Sequence, residues 1–257
     1  MLVYAALTPH SPILIPEVGR EHTKKLKKTL AAIAVIKQEL AAAAPDTLLI
    51  ISPHGALFAD AFTINLAHEY TGGLSEFGNF RTTFTYRPDT RTVDHMQRHL
   101  RTGASFQLHS ELNLDYGTSV PLLLLTDPGM RVIPLHTTLL DAKEHFKFGD
   151  LLKNEVYETN RRIAVIASAD FTNTPHESAS RSRGPQKLDK QVVDCITHRN
   201  AAGLLSISAD VIQDAKMCGF GPTMVLHGLL ERVIATPQVL SYENTFGVGY
   251  ITASFHL

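Results

Sequence analysis

Short apolar runs rich in Val, Ile and Leu recur along the chain with helix-patterned stretches between them, and no other feature constrains the fold as tightly. Unbroken runs of strand length suit strands covered on both faces, and their alternation with helices is the pattern of a mostly parallel sheet. The runs occupy residues 2–7, 47–52, 62–66, 131–135, 163–167, 238–242 and 248–255. Between the first two, residues 21–44 place Leu26, Leu30, Ile33 and Leu40 at helical spacing and stop before Pro45, where a helix loses its next backbone donor. Further helices are predicted over 90–100, 119–125, 142–159, 188–198 and 222–231. Residues 67–87, rich in Gly, Phe and Thr without periodicity, read as an irregular lobe, and 173–187 as a second loop. With no repeat, low-complexity tract or linker in view, the expectation is an α/β fold in a single domain over 1–257: a central mixed, mostly parallel sheet flanked by helices.

Length and composition narrow the classes. A chain of 257 residues is at the upper end of what one core serves. A hydrophobic share of 44%, a charged share of 19% and a net charge of −1 are ordinary for a globular protein and give no reason to expect nucleic acid. The basic cluster Lys24, Lys25, Lys27 and Lys28 reads as a solvated helix face. Two cysteines, Cys195 and Cys218, are too few for a disulfide framework, so reduced thiols and a cytoplasmic location are expected. The opening MLVYAALTPHSP lacks the marks of a signal peptide. No run approaches the roughly 20 apolar residues of a membrane helix, so no membrane association is expected. Of the 13 histidines, His22, His95, His99 and His145 lie among charged residues and are expected on the surface.

In open α/β sheets ligands gather at the carboxyl ends of the strands, so the residues just past each run carry the functional information. The first run is followed by Thr8-Pro9-His10-Ser11-Pro12, the second by Pro53-His54-Gly55, and the fifth by Ser168-Ala169-Asp170-Phe171-Thr172-Asn173. Proline beside each of His10 and His54 fixes the local backbone, and neutral imidazoles from separate strand ends can share one metal ion. A third ligand is offered by Cys218, ahead of a Gly-containing turn and a helix start, or by Glu243. Cys218 is preferred, because a helix N-terminus and a metal both favour its thiolate. Cys195, inside an amphipathic pattern, reads as a small core residue.

The segments Thr8-Pro9-His10-Ser11-Pro12, Ser52-Pro53-His54-Gly55 and Leu114-Asp115-Tyr116-Gly117-Thr118-Ser119-Val120-Pro121-Leu122 resemble those of LigB-type extradiol dioxygenases. Ser168-Ala169-Asp170-Phe171-Thr172, Cys218-Gly219-Phe220-Gly221-Pro222 and Val248-Gly249-Tyr250 are similar to those of the MEMO family, which shares that fold. The resemblance spans nearly the whole chain and implies a LigB/MEMO-like fold, with His10 and His54 as metal ligands. Cys218 falls where MEMO proteins place a cysteine ligand, whereas the dioxygenases have a glutamate there. The implied His2Cys site favours Fe(II), with Cu or Zn as alternatives. Both families carry histidines where this chain has Tyr116 and Asn173. A phenol titrating near ~10 and a non-titrating amide do not replace imidazole as a proton shuttle. His176 is the nearest substitute in sequence. Asp170 is expected to orient a ligand histidine or to cap the following turn.

The leading expectation is therefore a metal-dependent oxidoreductase acting on a small molecule, an aromatic one among the candidates, with Tyr116, Asn173 and His176 arranging the bound groups. The second is a non-catalytic subunit or scaffold of the same fold, since dioxygenases of this type pair catalytic with non-catalytic subunits; a homo- or hetero-oligomer fits either. A hydrolytic zinc enzyme ranks third.

Overall fold

The structure, a computed structural model, describes residues 1–127, 129–174 and 184–257. Its strands are β1 (Leu2–Thr8), β2 (Thr47–Ser52), β3 (Phe62–Asn65), β4 (Tyr70–Leu74), β5 (Asn79–Pro88), β6 (Phe106–His109), β7 (Arg131–His136), β8 (Ile163–Ser168), β9 (Asp170–Asn173), β10 (Thr236–Thr245) and β11 (Val248–His256). Its longer helices are α1 (Lys27–Ala43), α2 (Thr90–Gly103), α3 (Tyr116–Leu125), α4 (Ala142–Glu158), α5 (Gly184–Thr197) and α6 (Phe220–Leu229).

The main path of the sheet runs β10-β11-β1-β8-β2-β7-β3-β6. The four central strands β1, β8, β2 and β7 are mutually parallel. Antiparallel partners flank them, β11 on β1 and β3 on β7, so the sheet is mixed with a parallel centre. The unbroken apolar runs are explained by cover on both faces. Along β2, Leu49 and Ile51 join the cluster that holds Met96 of α2, Phe148 of α4 and Met224 of α6. Leu48 and Ile50 join the cluster that holds Ile36 of α1 and Leu122 of α3. Alternate side chains of a strand point to opposite faces, so a strand between two helical layers must be apolar at every position.

Register decides where function can sit. Thr8 pairs with Ser168, Ile51 with Ala167 and Ser52 with His136, so the carboxyl ends of the four parallel strands finish level along one edge. The residues that follow, His10, His54 and Asp170, emerge side by side.

Several expectations are corrected. Residues 67–87 are not an irregular lobe: β4 and β5 form an antiparallel pair, with Tyr70 opposite Tyr86 and Gly72 opposite Phe84. The Phe84 ring lies where a side chain at position 72 would stand, so glycine is part of the packing there and hides the strand pattern. The short strands β6 and β9 were also beyond periodicity, four residues each. The first long helix starts at Lys27, after a 3-10 turn over Arg20–Lys25, and ends at Ala43 with Ala44 in a left-handed conformation, φ 42°. His145 is buried at 3% exposure instead of lying on the surface, while His22 is exposed. Among the described residues no helix is long and apolar enough to cross a membrane.

Buried histidines give the fold an acid limb. His227 in α6 is 6% exposed and its Nε2 has no hydrogen-bond partner among the described residues. Burial, and after it the nearby Arg199 cation, push it down to about 4 from an unfolded value of 6.5. Between those values the unfolded chain takes up a proton that the native state refuses, so stability falls as pH falls through the window. One such group sets a slope of up to about 1.4 kcal/mol per pH unit. His227→Leu is expected to flatten that limb, read from denaturant unfolding at pH values across the window; an unchanged slope would remove His227 as its source.

Candidate metal centre

His10 leaves β1 through Pro9 and is 1% exposed. Its backbone N–H donates to Asp170 Oδ1 at 3.1 Å, which ties the end of β1 to the start of β9. His54 leaves β2 two residues beyond Ser52, whose Oγ accepts the His54 backbone N–H at 3.1 Å. Gly55 then turns the chain at φ +87°, a conformation glycine adopts without penalty, and a Cβ there would lie 2.8 Å from His136 Nε2. Cys218 precedes α6, held where the Gly219 N–H donates to the Asp170 carbonyl at 2.8 Å. A Cβ on Gly219 would stand 2.5 Å from the Ala169 Cβ, so only glycine lets this loop reach the strand end.

The three side chains converge. His10 Nε2 lies 3.1 Å from His54 Nε2 and 3.4 Å from Cys218 Sγ. Adjacent ligands of a tetrahedral ion with bonds of about 2.0–2.3 Å are separated by roughly 3.3–3.7 Å, so the spacing is close to that of an ion-sized site. Hydrogen bonding fixes the tautomer of His10. Ser168 Oγ donates its only hydrogen to the Gly117 carbonyl, so it must accept from His10 Nδ1–H at 3.0 Å. The His10 Nε2 lone pair is thereby turned toward His54 and Cys218, the arrangement of an outer partner behind a metal-ligating imidazole. His54 Nδ1 is 3.4 Å from the Tyr116 hydroxyl, and the two rings stack at 4.3 Å. The donor set fits a metal ion: two imidazole nitrogens and a sulfur converge, and each imidazole has an outer partner at its other ring nitrogen.

The electrostatics follow from burial. Desolvation pushes His10 and His54 down to about 4, so both imidazoles are neutral and able to ligate near neutrality. Burial pushes the Cys218 thiol up to about 12, with the Asp170 carboxylate adding to it. This differs from the expectation that the helix start would favour the thiolate: desolvation outweighs the dipole, and a metal ion would be what deprotonates the sulfur. Burial likewise raises Asp170 to about 7, with its Oδ2 3.8 Å from His10 Nε2. Tyr116 is held above the ordinary phenol range by burial and then by its acidic neighbours, first Cys218.

Behind His54 lies a polar network that sequence reasoning missed. Asp115 caps α3 by accepting from the Thr118 N–H at 3.0 Å and the Thr118 hydroxyl at 2.7 Å. It also accepts from Ser52 Oγ at 2.6 Å and meets His136 Nε2 at 3.1 Å. His136 Nδ1 in turn meets His109 Nε2 at 3.1 Å. Burial alone would raise the Asp115 pKa, but His136, Ser52 and Thr118 together hold it well below the ordinary carboxylate range. One signal could have found His136: it ends the apolar run of β7, as His10 and His54 follow those of β1 and β2.

The remaining candidates divide. Tyr116 stands at the cluster against His54. Asn173 ends β9 on the exposed side, its backbone N–H donating to the Ala215 carbonyl, and among the described residues no hydrogen bond joins its side chain to the cluster. His176 lies outside the described residues. Glu243 is elsewhere: its Oε2 accepts from the backbone N–H and hydroxyl of Thr29 at 2.8 and 2.7 Å, at the start of α1. Beside Cys218 opens a cavity of about 820 Å³, walled by Leu57, Leu140, Ile212, Met217 and Phe220. Its apolar walls and size suit a small organic molecule.

A family model described as the catalytic LigB subunit of aromatic ring-opening dioxygenase matches residues 4–253. Protein CA_C1420 of Clostridium acetobutylicum is 29% identical over 95% of this chain and 55% of its own length. A MEMO1 family protein of Methanosarcina mazei is 28% identical over 45% of this chain and 41% of its own length. The chain thus spans about half the length of the first of these curated relatives, and less of the second. Among solved structures, the uncharacterized protein JW3007 from Escherichia coli K12 superposes with a TM-score of 0.69 at 13% identity, over 99% of this chain and 100% of that one. That likeness establishes a shared fold.

Proposed function

From the premise that the chain belongs to the LigB family, within the superfamily that includes the MEMO1 proteins, we propose that it is a metal-dependent oxidoreductase acting on a small aromatic molecule. The observation that carries the reading is the convergence of His10, His54 and Cys218: His54 Nε2 and Cys218 Sγ lie 3.1 and 3.4 Å from His10 Nε2, and all three donor atoms lie within 4.8 Å of one another. These three residues would hold the ion, Fe(II) by preference and Cu or Zn as alternatives. Bound there, the ion supplies redox and Lewis-acid chemistry. Ser168 keeps the His10 proton on Nδ1, and the Tyr116 hydroxyl orients the His54 ring from its Nδ1 side. The cavity beside Cys218 has room for an aromatic ring against Leu57, Met217 and Phe220. Asn173 and His176 complete the proposal as polar groups that arrange substrate.

A second reading, a non-catalytic subunit or scaffold, is favoured by one observation. The family resemblance implies histidines where this chain has Tyr116 and Asn173, and the Asn173 side chain is not hydrogen-bonded to the cluster among the described residues. A partner subunit would then supply the missing chemistry.

Oxygen consumption by iron-loaded protein against a panel of catechols and phenols separates the two. Uptake with one ring-cleaved product per oxygen supports the dioxygenase form. Folded, iron-loaded protein that consumes no oxygen with any of the panel overturns that form and leaves the subunit reading.

A further inference from the structure

A second group of metal-type ligands stands apart from the strand ends, on the outer face of two packed helices. His95 and His99 are one turn apart on α2, and Glu155 and Glu158 three apart on α4. One ligand atom from each lies within 4.8 Å of all the others. His99 Nδ1 is 3.0 Å from Glu155 Oε2, and His95 Nε2 is 3.8 Å from both Glu155 Oε2 and Glu158 Oε2. We propose that His95, His99, Glu155 and Glu158 form a second site, for a divalent transition-metal ion of the zinc class.

Three observations beyond proximity point to a ligand. The His95 Nε2 is buried and has no hydrogen-bond partner among the described residues, although it faces two carboxylates; a metal ion would satisfy it and both acids together. The Glu155 side chain is only 7% exposed, so its charge needs a partner, and two carboxylates neutralise a dication. The spacing is also that of a ligand pair: histidines at i and i+4 face the same side of a helix, as in helical zinc motifs. The neighbouring cations do not occupy the site, since Arg98 is bound to Asp94 at 2.9 Å and Arg161 lies 3.8 Å from Asp89. A cleft of about 590 Å³ bounded by His95, Glu158 and Arg91 gives an ion access from solvent.

The site goes beyond the proposed function, and its test is independent of it. Apo protein is titrated with Co2+ and then Zn2+, following stoichiometry and the visible absorption of cobalt. The parent protein is expected to bind a second equivalent that produces ligand-field bands without sulfur-to-metal charge transfer. His99→Gln/Glu158→Gln, which alters the two most exposed ligands, is expected to weaken that equivalent by on the order of 100-fold or more while leaving the first intact. His10→Ala/Cys218→Ala is expected to retain it. A folded parent protein that binds no equivalent of this sulfur-free kind overturns the proposal, as does a sulfur-free equivalent that His99→Gln/Glu158→Gln leaves unchanged. Failure of the strand-end site would appear separately, as loss of the charge-transfer band.

Discussion

Cys218→Ala is expected to abolish the sulfur-to-metal charge-transfer absorption of the cobalt-loaded protein and to weaken one equivalent of Fe(II) by at least about 100-fold, more than the 10–100-fold that follows loss of an outer partner. The reasoning is geometric. Cys218 Sγ and His54 Nε2 lie 3.4 and 3.1 Å from His10 Nε2, so each side chain would supply a third of the proposed donor set. Removal of the thiol leaves two imidazoles, fewer ligands than a tight mononuclear site uses. His10→Ala is expected to match it, because His10 lies between the other two. Ser168→Ala is expected to fall in the intermediate 10–100-fold range, about what an outer hydrogen-bond partner contributes. Cys195→Ala is the control, being a buried thiol packed in the apolar core. Anaerobic metal titration with circular dichroism to verify folding reads all four. Full Fe(II) affinity in Cys218→Ala would remove the thiolate from the centre.

Asp115→Ala carries the largest expected cost to stability, about 3 kcal/mol or more, because the buried carboxylate accepts from Ser52 Oγ, the Thr118 N–H and hydroxyl and His136 Nε2, and its loss leaves these donors without a partner. The carboxylate is 8% exposed and its His136 partner 3%, so the imidazole left behind has no solvent to replace the contact. The same substitution strips the α3 N-cap and the acceptor for Ser52 Oγ, the hydroxyl that receives the His54 N–H. A loss of metal affinity should accompany the loss of stability. Asp115→Asn keeps an acceptor oxygen and removes the charge, so it should lie between parent and alanine variant. The sign with pH is the same as for buried His227, because the folded pKa is depressed in both, but the cause here is hydrogen bonding to the carboxylate instead of burial. The Asp115 pKa is held below its unfolded value of 3.8, so its contribution is complete above 3.8 and fades as pH falls below it. Denaturant unfolding at neutral and acidic pH measures both effects, and an Asp115→Ala protein as stable as its parent would refute the account.

How much of this could be read without coordinates differs between fold and site. The seven apolar runs are all strands and the six helical stretches are all helices, because side-chain periodicity and burial on both faces leave a local mark in the sequence. The β4–β5 pair left no such mark, since its pattern depends on Phe84 covering Gly72 from another strand. His10, His54 and Cys218 were legible as candidates because strand ends concentrate ligands, and the structure brings those three together. Asp115 and His136 were not singled out, since a carboxylate that caps its own helix and braces a neighbouring strand looks in sequence like any turn residue.

The sequence by itself determined the alternation of strands and helices, the polarity of each strand end and the identity of the donor atoms, all of which are set by residues within a few positions of one another. Tertiary structure alone decided that three of those donors meet, that Glu243 turns instead to Thr29, and that His95 and His99 find Glu155 and Glu158 across a helix interface. The physical reason is range. Periodicity is a local property of the chain, whereas coordination and ion pairing depend on separations of a few ångströms between residues as far apart as His10 and Cys218, and only strand register and helix packing fix those.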